Sequence, residues 1–167
     1  MEKEPNKETI NKKDAVESLR KVGYMFGLLH YWYTRTLWDE LGKEEGTELI
    51  KKTIEQFARD RSMMMRRKAE DLGYQGSLEH GGPMPVPPEV SDLPFNSPLR
   101  FHSPELGSYH CPFGAAWLDK RQKDPEACEI GFLYCKTNDP MKVKTYNPDY
   151  IQAVSYTHLT LPTTPYV

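Results

Sequence analysis

DAVESLRKVGYMFGLLHYWYTRTLWDEL, residues 14–41, is followed by Gly42 and then by KEEGTELIKKTIEQFARDRSMMMRRKAEDL, residues 43–72. In the first half Val16, Leu19, Val22, Gly23, Phe26, Leu29, Tyr33, Leu37 and Leu41 recur mostly at intervals of three and four, the repeat of one helix face. Glu17 and Lys21 form an i, i+4 pair on the outer face. Gly42 suits the left-handed residue that ends a helix. In the second half the stripe runs Leu49, Ile50, Ile54, Phe57, Met64, Lys68 and Leu72, and Gly73 is its natural stop. Arg61 falls where that stripe calls for an apolar residue. Two long helices joined by so short a turn are expected to pack antiparallel.

Outward from this hairpin the character changes. Residues 1–12 read as a solvated tail. From Gly76 to Pro98 the chain is rich in glycine and proline, which excludes helix and disfavours strand; it reads as a long connection over the hairpin. Short strands are expected from Leu99 to about Ser103 and from Ser108 to Cys111. Pro112 then opens a helix over Phe113–Arg121. Asp124-Pro125-Glu126 starts another with Ala127–Tyr134 as its body, and Asn138-Asp139-Pro140 starts a further short helical turn ending near Asn147-Pro148. The expected fold is α+β: an N-terminal antiparallel helical hairpin packed with short helices and a small antiparallel sheet, in one domain over residues 13–153.

Residues 154–167, VSYTHLTLPTTPYV, hold no charged side chain, although 28% of the chain is charged. Val154 to Thr163 resembles the in-frame translation of a transposase sequencing adapter, as found in metagenome-derived genes. The tail is therefore expected to be foreign to the fold, and His158 to carry no chemistry.

The 167 residues suffice for one domain with a core. A hydrophobic share of 38% and a formal net charge of −2 fit a globular protein and give no electrostatic reason to expect nucleic acid or membrane as a partner. The charged N-terminus lacks a signal-peptide core, and no apolar run approaches the ~18–20 residues that span a bilayer. Cys111, Cys128 and Cys135 are expected as reduced thiols in a cytoplasmic protein.

Cys111, beside His110 and before a helix start, could be a thiol activated as a nucleophile, or a small buried apolar residue. Cys135 is followed by Asp139 and Asn147. Asp139 could serve as a general base, or it could simply cap a helix ahead of Pro140. His102, His110 and the three cysteines lack the spacing of a recognisable zinc site, so no metal and no cofactor is expected. His30 reads as a satisfied helix histidine or as part of a binding pocket. In the basic run of Arg59, Arg61, Arg66, Arg67 and Lys68, Arg61 alone is aimed inward, and a buried guanidinium needs an anion.

Cys111-Pro112-Phe113-Gly114-Ala115-Ala116-Trp117, then Glu129-Ile130-Gly131-Phe132-Leu133-Tyr134-Cys135, then Asn138-Asp139-Pro140 and Tyr146-Asn147-Pro148 stand in an order that resembles the L-2-amino-thiazoline-4-carboxylic acid hydrolase family. Leu41-Gly42 and the run Phe57 to Ser62 fit its N-terminal half, so the resemblance covers about residues 20–150. Ala58 and Ser62 stand where the family tends to have glycine. The resemblance also implies a polar strand, a Gly turn and a Cys-Asp-Phe strand after Asn147-Pro148, where this chain has its tail. It implies a bacterial enzyme that opens a cyclic isothiourea to a carbamoyl-cysteine. On that reading Cys111 is nucleophile or polariser, Asp139 the base and Asn147 a hydrogen-bond donor. Arg59 or Arg61 anchors the substrate carboxylate, with His30 and Cys135 lining the site. The alternatives are a non-catalytic small-molecule sensor and, from the aromatic content and Met63-Met64-Met65, a homo-oligomerisation module.

Overall fold

The computed structural model describes residues 11–73, residue 90 and residues 111–148. Four helices account for most of them: α1 (Lys12–Leu41), α2 (Lys43–Asp71), α3 (Pro112–Arg121) and α4 (Ala127–Tyr146). Among the described residues there is no strand. The architecture is therefore a helical bundle, and the expected α+β fold is corrected. Of the two expected strands only Cys111 is described, and it is the N-cap of α3. The rest of those strands, the Gly/Pro-rich connection apart from Val90, His102, His110 and the tail lie outside the described residues.

Each boundary has a local cause. Asn11 caps α1, its side chain accepting from the Lys13 N–H at 2.9 Å. Gly42 ends α1 with φ 83°, a backbone that favours glycine, and its N–H reaches the Trp38 carbonyl. Pro112 opens α3 where a missing N–H costs nothing. Asp124 accepts from the Glu126 N–H at 2.9 Å just before α4. The expectation of two pieces in α4 is also corrected: the helix runs unbroken through Pro140.

The contacts fix the topology. Trp38 bonds Thr47 at 3.0 Å and Phe26 stacks on Phe57 at 5.6 Å, so α1 and α2 run antiparallel. Lys43 pairs with Glu129, and Ser62 donates to the Lys142 carbonyl, so α2 and α4 run in the same direction. Gly23 meets Pro112 while Tyr31 donates to Asp124, so α1 and α3 also share a direction. The result is an up-down-up-down bundle in which α1, α2, α4 and α3 follow one another around the core. Tyr31, Trp38, Ile50, Ile54, Trp117, Ile130, Leu133 and Tyr134 fill it. A second buried group, Met65, Ala69, Val90 and Tyr146, closes the far end of the α2–α4 seam.

Close approach explains why the apolar stripes mislead. A Cβ on Gly27 would lie 2.7 Å from the Phe113 carbonyl oxygen, and one on Gly131 would overlap the Trp117 ring. The Trp117 indole donates to the Gly27 carbonyl at 2.9 Å, so α3 seats against glycine backbone of both α1 and α4. The buried face of α1 is Gly23, Gly27, His30, Tyr31, Thr34 and Trp38, about one residue round from the expected stripe. Val22, Leu29, Tyr33 and Leu41 are exposed instead. On α2 the stripe holds at Ile50 and Ile54, then passes to Ala58, Ser62, Met65 and Ala69, leaving Met64 and Leu72 in solvent.

Candidate functional site

Tyr134 stands at the centre of the site. It lies on the inward face of α4, 5% exposed, with its ring packed against Phe26, His30, Phe113 and Trp117 at centroid distances of 5.0–6.1 Å. Its hydroxyl is buried and has no hydrogen-bond partner among the described residues. Burial raises its pKa well above the usual tyrosine value; the charge of Arg61 opposes that shift, while Asp139, Cys135 and Cys111 reinforce it. Four of the residues singled out in the sequence therefore lie within electrostatic reach of this one hydroxyl.

Cys111 occupies the N-cap of α3. Burial pushes its thiol above the ordinary cysteine value; the N–H groups of Gly114 and Phe113 at the helix start pull the other way, without closing a capping hydrogen bond, and Asp139 adds to the rise. Desolvation thus outweighs the helix terminus, and the thiol is protonated at neutral pH. Cys135, buried on α4, is raised further by burial and by Asp139 and Cys111. Asp139 accepts from the Asn138 amide at 2.9 Å. Arg61 is half-buried, lies over the Phe57 ring at 4.9 Å, and approaches the side-chain amide oxygen Oδ1 of Asn138 at 3.5 Å.

The other candidates lie apart. Arg59 is exposed on the outer face of α2. Asn147 is the C-cap of α4, eight residues beyond Asp139 or about 12 Å along the axis at ~1.5 Å per residue. Cys128 is partly exposed at the start of α4, where burial raises its thiol. His30 is 7% exposed and its Nε2 lies 3.2 Å from the Ile130 carbonyl, the arrangement of a neutral imidazole donating that proton. Burial lowers its pKa to about 4, against a smaller opposing effect of that hydrogen bond.

Beside the polar cluster a cavity of about 180 Å³ opens between α1 and α2. Phe26, His30, Ile54, Phe57 and Tyr134 line it, with Leu29 at its mouth, and no cysteine or carboxylate is among its lining residues. Tyr134 is the wall shared by the apolar cavity and the polar cluster.

Tyr134 and Asn138 were missed in the sequence. Their signal is the run Ile130, Tyr134, Asn138, Lys142 at intervals of four, one face of a single helix. Dividing that helix at Pro140 hides it. Lys142 belongs to the same buried seam at 2% exposure.

Among the described residues no helix is long and apolar enough to cross a membrane. No group of three or more His, Cys, Asp or Glu side chains among them could hold a metal ion. Comparison of the chain with protein-family models, with curated proteins and with solved structures finds no match.

Proposed function

We propose that the chain is a cytoplasmic hydrolase that opens a cyclic isothiourea such as L-2-amino-thiazoline-4-carboxylate. The observation that supports it is the gathering of Cys111, Cys135, Asp139 and Arg61 around Tyr134, from α2, α4 and the cap of α3. The ordered motifs of the resemblance point the same way.

The reaction consumes one water. Its oxygen bonds C2 of the ring, and the first proton passes through Asp139 to the ring nitrogen. The tetrahedral centre then collapses to a carbonyl, the C2–S bond breaks, and the second proton reaches the departing sulfur, leaving a carbamoyl-cysteine. Because burial keeps Cys111 protonated, its role is to polarise the departing sulfur as a neutral donor. Arg61 takes the substrate carboxylate.

Release of thiol from L-2-amino-thiazoline-4-carboxylate is the measurement. Asp139→Asn is expected to lower kcat by about 100-fold or more, the usual worth of a positioned base. Arg61→Gln raises KM, while Arg59→Gln and Asn147→Ala leave the rate unchanged. A chain that releases no thiol, or an Asp139→Asn variant as fast as the parent, removes the reading.

A second reading is a module that binds a small molecule without turnover. It is favoured by the cavity, whose lining carries neither cysteine nor carboxylate.

A further inference from the structure

We propose that the cavity between α1 and α2 is a binding site for a neutral, single-ring aromatic group. This rests on the second reading, whose site is the same cavity, and deepens it by naming the class of ligand; it needs no turnover.

Size comes first. An enclosed apolar cavity of about 150 Å³ is known to admit benzene, and this one, open at its rim, holds about 180 Å³. A single six-membered ring is the unit that fits. Its walls supply aromatic faces and edges: Phe26 stacks on Phe57 at 5.6 Å, and Tyr134 meets Phe26 edge-on at 5.9 Å. Such walls accept one more ring in the offset or edge-to-face arrangements that aromatic pairs prefer.

Charge decides between a neutral ring and an ionised one. No lining residue carries a charge at neutral pH: His30 is held neutral and already directs its Nε2 proton to the Ile130 carbonyl, and Tyr134 keeps its proton. A carboxylate entering there would lose its hydration with no cation in the lining to replace it. The neutral lining therefore complements a neutral occupant. Access is from the Thr53 and Tyr33 rim, where both side chains are exposed.

The test is a titration of the full chain with fluorobenzene, followed by ¹⁹F NMR, alongside 4-fluorobenzoate. Fluorobenzene is expected to bind saturably, and 4-fluorobenzoate at least about tenfold more weakly, a difference of ~1.4 kcal/mol. Thr53→Phe places a ring at the rim from an exposed position, so the fold is retained, and it is expected to weaken fluorobenzene at least about tenfold. Leu118→Phe, exposed on α3 and away from the cavity, should leave binding unchanged. Absence of saturable binding, equal affinity for the two probes, or indifference to Thr53→Phe would each overturn the proposal. Asp139→Asn, which stops hydrolysis if the hydrolase reading holds, is expected to bind fluorobenzene like the parent. Failure of one claim is thus separable from failure of the other.

Discussion

His30 is an ionisable group that the fold holds neutral, and the consequence can be worked out with its sign. In the unfolded chain it takes a proton near its ordinary pKa of 6.5; in the fold burial lowers that to about 4. Between those values the unfolded state binds more protons, so stability rises with pH across the window. The contribution is fully present above about pH 6.5 and is lost as pH falls towards 4; over that interval it amounts to about 3 kcal/mol. Urea unfolding at pH 7 and pH 4.5 should show a steep loss in the parent chain. In His30→Gln the loss should be smaller by most of that amount. Equal slopes in the two proteins would mean that His30 is protonated in the fold. The same side chain shows how far the residue scale could be read from sequence. A satisfied helix histidine was one of the two readings, and the Ile130 carbonyl is what satisfies it. Its tertiary partner lies 100 residues away, so no local pattern could name it.

Among the elements, α4 departs furthest from expectation. Asn138-Asp139-Pro140 reads locally as a helix start, since Asp caps and Pro favours a first turn. The helix nevertheless continues, because its inward face is already committed on both sides of Pro140: Ile130, Tyr134 and Asn138 before it, Lys142, Val143 and Tyr146 after it. Packing along α2 outweighs the lost N–H of one exposed proline. The chain still bears that local cost, so Pro140→Ala should raise stability by about 1–3 kcal/mol, measured as a higher urea midpoint at unchanged slope. A lower midpoint would mean that the proline shapes the helix it interrupts. The helical hairpin, by contrast, was legible down to Gly42, because long apolar periodicity and a glycine stop are local signals. The faces were less so. Gly27, Gly46, Gly131, Ala58 and Ser62 are buried for their smallness, and a reading that follows large apolar side chains passes over them. The candidate site shows the same division. Cys111, Asp139, Cys135 and Arg61 stood out by residue type, whereas Tyr134, an ordinary aromatic in an apolar run, is central only through what packs around it.

At the scale of the whole molecule the two ends of the bundle are held by different physics. At the far end Met65, Ala69, Val90 and Tyr146 exclude water, an interaction that salt does not screen. At the α1–α2 turn a network of charges surrounds the buried Trp38 and Ala127. Arg35 pairs with Asp39 and, at 2.7 Å, with Glu126; Lys43 bridges Glu126 at 2.8 Å and Glu129 at 2.7 Å, and lies over the Trp38 ring at 4.8 Å. Lys43 first and Arg35 second hold the Glu126 carboxyl below its usual range. These groups are partly exposed, so each pair alone contributes little, yet together they tie the helical hairpin to the loop that starts α4. Screening should therefore loosen this end while leaving the other intact. Arg35→Gln is expected to lower Tm relative to the parent at about 20 mM salt, and the gap should narrow at about 1 M, where the Debye length is ~3 Å. Amide exchange should follow the same asymmetry. In the variant at low salt, protection should fall first around Trp38 to Thr47 and at the start of α4, while Met65 and Ala69 keep theirs. A gap in Tm that does not change with salt would mean that Arg35 acts by packing over Trp38, 6.0 Å from its ring, and that charge has no part in closing this end.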